Sequence, residues 1–225
     1  MNIRILFNDK DLIVCEKPIG LSAESPGLPD ILGQMITHEC FPVHRLDLGT
    51  GGVCIQACSR NACSALQKIF SDGKVEKEYL AVVSGIPEST SGSYHDLLYH
   101  DHRKNKTFIV KKLRKNVKEA VCEWQVLNTV RNKDSLTLIR VILGTGRTHQ
   151  IRVQFASRGL PLVGDHKYGS RIHADWPSLW AYRISFPHPF KAGQTVTAVS
   201  DPPDTYPWNL FFSNGLFTHS SDVLL

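Results

Sequence analysis

The sequence lacks the long apolar segments and targeting patterns of membrane and secreted proteins. No apolar run approaches the ~20 residues that a helix needs to cross a bilayer. No secretory h-region precedes the strand-like pattern that follows the first four residues. We therefore expect a cytoplasmic protein with no membrane partner, whose six cysteines stay reduced.

The motifs of common metal and nucleotide chemistry are also missing. Cys54-x-x-x-Cys58 has no second cysteine pair at zinc-ribbon spacing, and the histidines between residues 95 and 102 have no fourth ligand nearby. Residues 144–148 lack P-loop spacing, and no His-x-Glu accompanies a Pro-Cys-x-x-Cys. These absences exclude P-loop nucleotide hydrolysis and zinc-dependent base deamination, and predict no metal site.

The composition is that of a folded globular protein with a mild basic excess. The 225 residues are 42% hydrophobic and 21% charged, with a net charge of +5. This charge suits an anionic partner such as RNA, although an excess of this size is weak evidence alone. Since no repeat or low-complexity linker divides the chain, we expect a single domain over residues 1–225 and a monomer.

Strand patterns outnumber helical ones. We predict strands at Ile3–Phe7, Leu12–Glu16, Val53–Ala57, Lys77–Val83, Thr107–Lys112, Ala120–Val130, Ser135–Leu143, Leu179–Phe186 and Thr195–Ser200, and helices at Leu28–Ile36, Arg60–Ser71 and about 148–159. Ser59 is the predicted N-cap of the second helix. Within the longest strand, Cys122 and Trp124 share the face that we expect to be buried. Many strands, few helices and no regular alternation predict an α+β fold on a mixed, mostly antiparallel sheet.

The segment His44–Gly52 is the most informative part of the chain. Arg45 stands two positions before Asp47, and a glycine-rich turn follows both. A carboxylate presented on a rigid turn beside an arginine suits chemistry that passes through a charged intermediate. The alternative for this segment alone is an Asx turn with a surface ion pair.

A second segment, Gly144–Arg152, reads Gly-Thr-Gly-Arg-Thr-His-Gln-Ile-Arg. Together with His-Arg-Leu-Asp at 44–47, Lys-Glu-Tyr at 77–79 and Lys-Pro-Ile-Gly-Leu at 17–21, it resembles the RluA-type family of RNA pseudouridine synthases. The resemblance covers about residues 3–200, in the family's order. It implies an isomerase that acts on ribosomal or transfer RNA, on a mixed sheet whose central cleft carries the catalytic turn.

The implied reaction cuts the bond between ribose C1′ and uracil N1, turns the base and rejoins it through C5. The substrate carries its own leaving group and acceptor, so we expect no cofactor. Asp47 is the residue expected to act on the ribose, either by attacking C1′ or by removing a neighbouring ribose proton. The sequence leaves both routes open.

By the same resemblance, Tyr79 and Arg152 complete the catalytic group. Arg152 is expected beside Asp47, holding the carboxylate ionised, and phosphate contact is the alternative. Tyr79 is expected to stack on the extruded uracil, with removal of the C5 proton as a second role for its hydroxyl, and a core tyrosine is the alternative. Arg45 is expected to fill the stack that the uridine leaves, the alternative being an ion pair on the turn.

Further residues are expected to hold the RNA. Arg147, His149 and Gln150 are assigned to backbone contacts or support of the cleft. The basic stretch His100–Lys118, with Lys111, Lys112 and Lys115, is assigned to phosphates, and a solvated hairpin is its alternative. Asp165 is interpreted as a turn residue after Gly164 rather than as a second carboxylate for glycosidase chemistry.

The chain departs from the family at Gly49-Thr50-Gly51-Gly52, where relatives usually carry Thr-Ser-Gly. The lost serine hydroxyl makes a catalytically weak RNA-binding or RNA-chaperone protein the alternative function. We also expect no separate N-terminal RNA-binding domain.

Overall fold

The computed structural model describes residues 3–131 and 134–212. Its strands are β1 (Ile5–Asn8), β2 (Leu12–Lys17), β3 (Phe41–Pro42), β4 (Gly51–Ala57), β5 (Glu76–Ser84), β6 (Ser91–Asp101), β7 (Lys106–Val110), β8 (Val117–Val130), β9 (Leu136–Leu143), β10 (Leu179–Pro187) and β11 (Thr195–Val199). Its helices are α1 (Leu28–Ile36), α2 (Arg60–Ser71), α3 (Gln150–Ala156) and α4 (Asn209–Phe212), with a 3-10 turn at His166–Tyr168. The predicted α+β class is confirmed.

The nine predicted strands are present, each with ends shifted by at most a few residues. The prediction missed two strands, the two-residue β3 and the longer β6. In β6 the polar Asp96 lies between the buried Tyr94 and Leu98 on one face, so apolar residues do not recur at every second position. The third helix was predicted too long. It begins at Gln150 because His149 adopts a left-handed conformation, with φ 55°, which interrupts a right-handed helix.

The described residues form two compact units. The first contains residues 3–78 and 180–200, with strand order β1-β2-β4-β10, β3 on β4 and β11 on β10. The β4–β10 pair is parallel, whereas β1–β2, β2–β4 and β10–β11 are antiparallel. Helix α2 begins at the predicted cap, where the Ser59 hydroxyl accepts the Ala62 N–H, and buries Ala62 and Leu66 in this unit's core.

The second unit contains residues 79–179 and 201–212, apart from 132–133, with strand order β5-β9-β8-β6-β7. The predicted faces of β8 are confirmed: Cys122 and Trp124 are buried, while Glu123 and Gln125 are exposed. Helix α3 packs Phe155 on this core. The prediction of one domain over residues 1–225 stays a prediction.

The two glycines at the start of β4 have a packing reason. A side chain at Gly51 would collide with the indole of Trp180, and one at Gly52, where φ is +106°, with the backbone of Ala181. Trp180 is buried and donates from Nε1 to the Ser200 carbonyl at 2.8 Å. Glycine at position 51, where the family usually has serine, therefore has a structural reason: the indole of Trp180 occupies the space that a serine side chain would need.

Candidate active site

Asp47 lies in the turn that leads into β4. The Thr50 N–H donates to the Asp47 carbonyl at 2.9 Å and closes the turn, and the Gly20 N–H donates to the Leu48 carbonyl at 2.9 Å. Asp47 is partly exposed. The carboxylate is thus attached to a backbone that is held from both sides, which limits the entropy lost when a substrate binds against it.

Lys17 supports this turn from beneath. Its side chain is fully buried, and its ammonium donates to the carbonyls of Pro18 at 3.0 Å, Leu21 at 2.8 Å and Leu48 at 3.5 Å. Burial lowers the pKa of Lys17 to about 8, while nearby Cys54 and Asp47 oppose that decrease. A buried ammonium is tolerable only because these oxygens replace its water, so Lys17 joins the 17–21 loop to the turn of Asp47.

His44 fixes the other end of the same turn. Its Nε2 accepts the Ile55 N–H at 3.1 Å, and its ring stacks on Phe70 with centroids 5.0 Å apart. A nitrogen that accepts carries no proton, so the neutral ring is protonated on Nδ1. Burial, with a smaller contribution from Lys77, lowers the pKa of His44 to about 4.

From the low pKa of His44 we predict how the free energy of unfolding changes with pH. The pKa falls from 6.5 to about 4 on folding, so between these values the unfolded chain binds the extra proton and acid favours unfolding. We expect stability to fall from pH 6.5 towards pH 4, by up to about 3 kcal/mol from this group. Urea unfolding across that range should show a larger loss of stability in the wild type than in His44→Gln, by up to that amount. Parallel pH profiles for the two proteins would contradict it.

Arg45 lies exposed on the turn. Its guanidinium is 3.7 Å from the Glu24 carboxylate, and both side chains are more than half exposed. Exposed pairs of this kind contribute ~0–1 kcal/mol. The surface ion pair that was the alternative interpretation of Arg45 is therefore present, and the stacking role of Arg45 stays a prediction.

Arg152 and Asp165 form a buried, two-pronged ion pair in the second unit. Arg152 Nε donates to Asp165 Oδ2 at 2.7 Å and Nη2 to Oδ1 at 2.8 Å, with both residues buried. The Arg152 guanidinium also lies 5.2 Å from the ring centre of Tyr168. Two parallel hydrogen bonds fix the plane of the guanidinium, so Arg152 is held in one orientation before any substrate arrives.

Asp165 was interpreted from sequence as a turn residue, which is only half of its role. Its backbone does make turn hydrogen bonds, from its N–H to Leu162 and from Tyr168 N–H to its carbonyl. Its side chain, however, is the partner of Arg152. The sequence did carry a signal for this pair. An arginine in an apolar helical segment needs a carboxylate partner, and Asp165 stands 13 residues after Arg152, directly after Gly164.

The loop before α3 is braced by Gln150. Its Oε1 accepts from the Thr145 hydroxyl at 2.8 Å and the Arg147 N–H at 3.0 Å, and its Nε2 donates to the Val121 carbonyl at 3.0 Å. These contacts favour the supporting role for Gln150 over direct RNA contact. Arg147 donates from Nε to the Glu119 carbonyl at 2.9 Å.

His149 is buried in the left-handed conformation, with φ 55°. Its Nδ1 lies 2.9 Å from the hydroxyl of Tyr168, which also accepts the Thr107 N–H at 2.8 Å. Burial raises the pKa of Tyr168, so its hydroxyl keeps its proton. A strained non-glycine residue persists where its surroundings enforce it, and such residues cluster at functional sites.

Tyr79 is partly buried and packs against the core of the second unit. The partial exposure is compatible with a ring that offers one face to a base. Its predicted role, like the pairing of Arg152 with Asp47, stays a prediction.

The basic stretch forms the β6–β7 hairpin, the connection at residues 111–116 and the start of β8. Lys111, Lys112 and Lys115 are exposed on that connection, beside the strongly exposed Leu113. Exposed lysines are expected both for a solvated hairpin and for a surface that contacts phosphates. The exposure therefore does not separate the two interpretations.

One metal-like cluster occurs among the described residues, at Asp9, Asp11 and His188. The Lys191 ammonium already lies 2.7 Å from Asp9 Oδ2, and His188 Nε2 lies 2.8 Å from the same atom. Because a cation of the chain itself fills this position, we expect no metal there. No helix in residues 3–131 or 134–212 has the length and hydropathy to span a bilayer.

A family model described as RNA pseudouridylate synthase matches residues 11–157. An "Uncharacterized RNA pseudouridine synthase" of Aquifex aeolicus is 34% identical over 224 residues, covering 89% of this chain and 70% of the relative. "Ribosomal large subunit pseudouridine synthase C" of Buchnera aphidicola is 31% identical, covering 84% of this chain and 64% of the relative. The solved structure of human RNA Pseudouridylate Synthase Domain Containing 1 has the same fold, with a TM-score of 0.78, 23% identity and coverage of 91% and 85%.

Proposed function

The chain belongs to the RNA pseudouridylate synthase family, and on that premise we propose that it isomerises a specific uridine in structured RNA to pseudouridine through Asp47. The family consists of isomerases that act on RNA. In the reaction the C1′–N1 bond breaks, C1′ bonds to C5, the C5 proton leaves and N1 gains a proton. The balance closes within the uridine, so no redox partner is needed.

The observation that carries the proposal is the doubly held turn of Asp47. Lys17 and Gly20 bond to Leu48 from one side, and Thr50 closes the turn from the other. A carboxylate on such a turn is preorganised to meet positive charge at C1′, or to take a ribose proton. Both routes remain part of the proposal.

Arg152 is proposed to orient Asp47 as an ionised group. Its fixed plane, set by Asp165, supports a role that depends on orientation. Arg45 is proposed to enter the stack that the target uridine leaves, and its exposed position supports that.

Tyr79 is proposed to stack on the extruded uracil, which gives a paired prediction. Tyr79→Phe keeps the stacking face, whereas Tyr79→Ala loses roughly 1–3 kcal/mol of stacking. If stacking alone matters, single-turnover assays should find Phe nearly active and Ala poor. If the hydroxyl moves the C5 proton, both variants should stall after base detachment. Full activity in both would remove Tyr79 from the site.

Lys111, Lys112 and Lys115 are proposed to contact phosphates. Replacing all three with alanine should weaken RNA binding and lower the log–log salt slope by about 2–3, at roughly 0.7–0.9 per contact. Chemistry at saturating RNA should stay near normal, because these side chains position the RNA rather than meet the uracil. A salt slope equal to that of the wild type would mean that the 111–116 connection contacts no phosphate and is a solvated loop.

The substrate is proposed to be ribosomal or transfer RNA. The Buchnera aphidicola relative is named for the large ribosomal subunit, so large-subunit RNA is the first to test. The purified protein should form pseudouridine in such RNA isolated from cells without the enzyme, and primer extension after carbodiimide treatment would locate it. Formation in no ribosomal or transfer RNA would contradict the proposal.

A catalytically weak RNA-binding or RNA-chaperone protein was the alternative suggested by the altered turn. Gly51 and Gly52 are accounted for by Trp180 and Ala181, so the turn no longer favours that alternative. A cytoplasmic location and a monomeric state remain predictions.

A further inference from the structure

The second unit contains a cleft of ≈ 290 Å³ on the side of its basic hairpin. One wall comes from β6 and its turn, with His100 and His102, and the other from the loop with Arg147 and Thr148. Asn116, at the end of the 111–116 connection, and Lys118, near the start of β8, also line the cleft. Neither Lys111, Lys112 nor Lys115 belongs to this cleft.

The lining is cationic. Lys118 and Arg147 carry positive charges, His102 and Asn116 offer further donors, and no carboxylate lines the cleft. The neighbouring acids are directed elsewhere. Asp101 Oδ1 accepts the N–H groups of Arg103 and Lys104 within the hairpin turn, and Glu119 follows Lys118 in a strand, on the opposite face.

Most hydrogen-bond donors of the two cations remain unused within the part of the chain that the structure describes. Arg147 uses Nε on the Glu119 carbonyl, and its two terminal nitrogens and the Lys118 ammonium make no hydrogen bond or ion pair there. Two cations facing one concave space repel each other unless an anion lies between them. A phosphate oxygen is the acceptor that a guanidinium and an ammonium bind together most readily.

The walls of the cleft are fixed to each other by Thr107. Its hydroxyl donates to the Thr148 carbonyl at 2.8 Å and lies 3.0 Å from His100 Nδ1. Because a threonine hydroxyl has one proton, His100 Nδ1 must be the donor in the second contact. The shape of the cleft is therefore fixed by hydrogen bonds between its walls.

The histidines of the cleft do not form a metal site. The ring centres of His100 and His102 lie 4.7 Å apart at 88°. The ligand-atom cluster that the described residues contain is the one at Asp9, not this one. The chemistry of the lining is that of an anion site.

We propose that this cleft binds one backbone phosphate of the substrate RNA, through Lys118, Arg147 and His102, an inference that rests on the proposed function. The same Thr107 donates its N–H to Tyr168, whose ring lies against Arg152. Thr107 and Tyr168 thus connect the cleft to Arg152 within the second unit, and we infer that the bound phosphate belongs to the RNA segment that reaches Arg152. The phosphates proposed for the lysines of the 111–116 connection are different ones, because these lysines do not line the cleft.

The test uses the full chain and a single-stranded oligouridylate of about ten nucleotides. Lys118→Gln combined with His102→Gln should weaken its binding about tenfold or more, as expected for charge-assisted hydrogen bonds. The salt slope should fall by about 0.7, the value for one phosphate of a single strand. Lys10→Gln, the same charge change in the β1–β2 turn of the first unit, is the matched control and should change binding much less.

A second measurement locates the anion. Inorganic phosphate, titrated against the wild type, should shift the imidazole NMR signals of His100 and His102 saturably, and Lys118→Gln should weaken that response. Unchanged oligouridylate binding in the double variant, an equal loss in Lys10→Gln, or imidazole signals that do not move would each overturn the inference.

Failure of the inference can be told from failure of the proposed function. If the wild type forms pseudouridine but the double variant binds RNA normally, the phosphate site is wrong and the function stands. If the cleft binds oligouridylate as expected but no RNA is isomerised, the function is wrong and the anion site stands.

Discussion

Asp47→Asn should abolish pseudouridine formation while the protein stays folded and still binds RNA. Asparagine keeps the shape of the side chain and the Asp47 carbonyl that accepts the Thr50 N–H. The main change is the loss of the negative charge, so we expect the effect to fall on the chemistry. We expect a decrease of at least about 10³-fold in single-turnover rate, the upper end of what one preorganised group contributes at a charged transition state.

Glu39→Gln, the same loss of charge at an exposed position of the first unit, is the control and should leave the rate near that of the wild type. Affinity for RNA and thermal unfolding should be measured on both variants, so that a folding defect is not mistaken for lost chemistry. Near-normal turnover by Asp47→Asn would remove Asp47 from the catalytic role.

The second large effect is expected at the buried pair of Arg152 and Asp165. Removing one partner leaves the other charge buried without compensation, so Asp165→Ala and Arg152→Met should each lower the unfolding free energy by about 3–5 kcal/mol. The double variant Arg152→Met with Asp165→Leu removes both charges and should recover most of that loss. Urea unfolding of the four proteins measures the coupling.

Activity of the double variant separates stability from function. It should fold but fail to isomerise RNA, because the guanidinium proposed to orient Asp47 is gone. A folded and fully active double variant would confine Arg152 to a structural role. Single variants that each cost less than about 1 kcal/mol would contradict a strongly coupled buried pair.

The sequence predicted what depends on local pattern. Helices α1 and α2 and the N-cap at Ser59 follow from apolar spacing and from a side chain that competes for backbone N–H groups. The faces of β8 follow from alternation. The motifs around Asp47, Tyr79 and Arg152 were found because they are contiguous in the chain.

What the sequence did not predict depends on contacts between distant residues. Strand β6 escaped because the polar Asp96 lies between Tyr94 and Leu98 on the face that these two bury. Asp96 is accepted there through Gln154 and Arg158, which are 58 and 62 positions away in the chain. Arg152 pairs with Asp165, 13 positions further along the chain. Lys17 donates to Leu48, 31 positions away. The fit of Trp180 against Gly51 spans most of the chain, and no local pattern marks it.

The central claim is tested most directly by mapping pseudouridine in total RNA from cells that carry the gene and from cells in which it is deleted. The account predicts that pseudouridine disappears from a specific uridine of ribosomal or transfer RNA on deletion, returns with the wild-type gene and does not return with Asp47→Asn. Identical maps with and without the gene, or full restoration by Asp47→Asn, would contradict it.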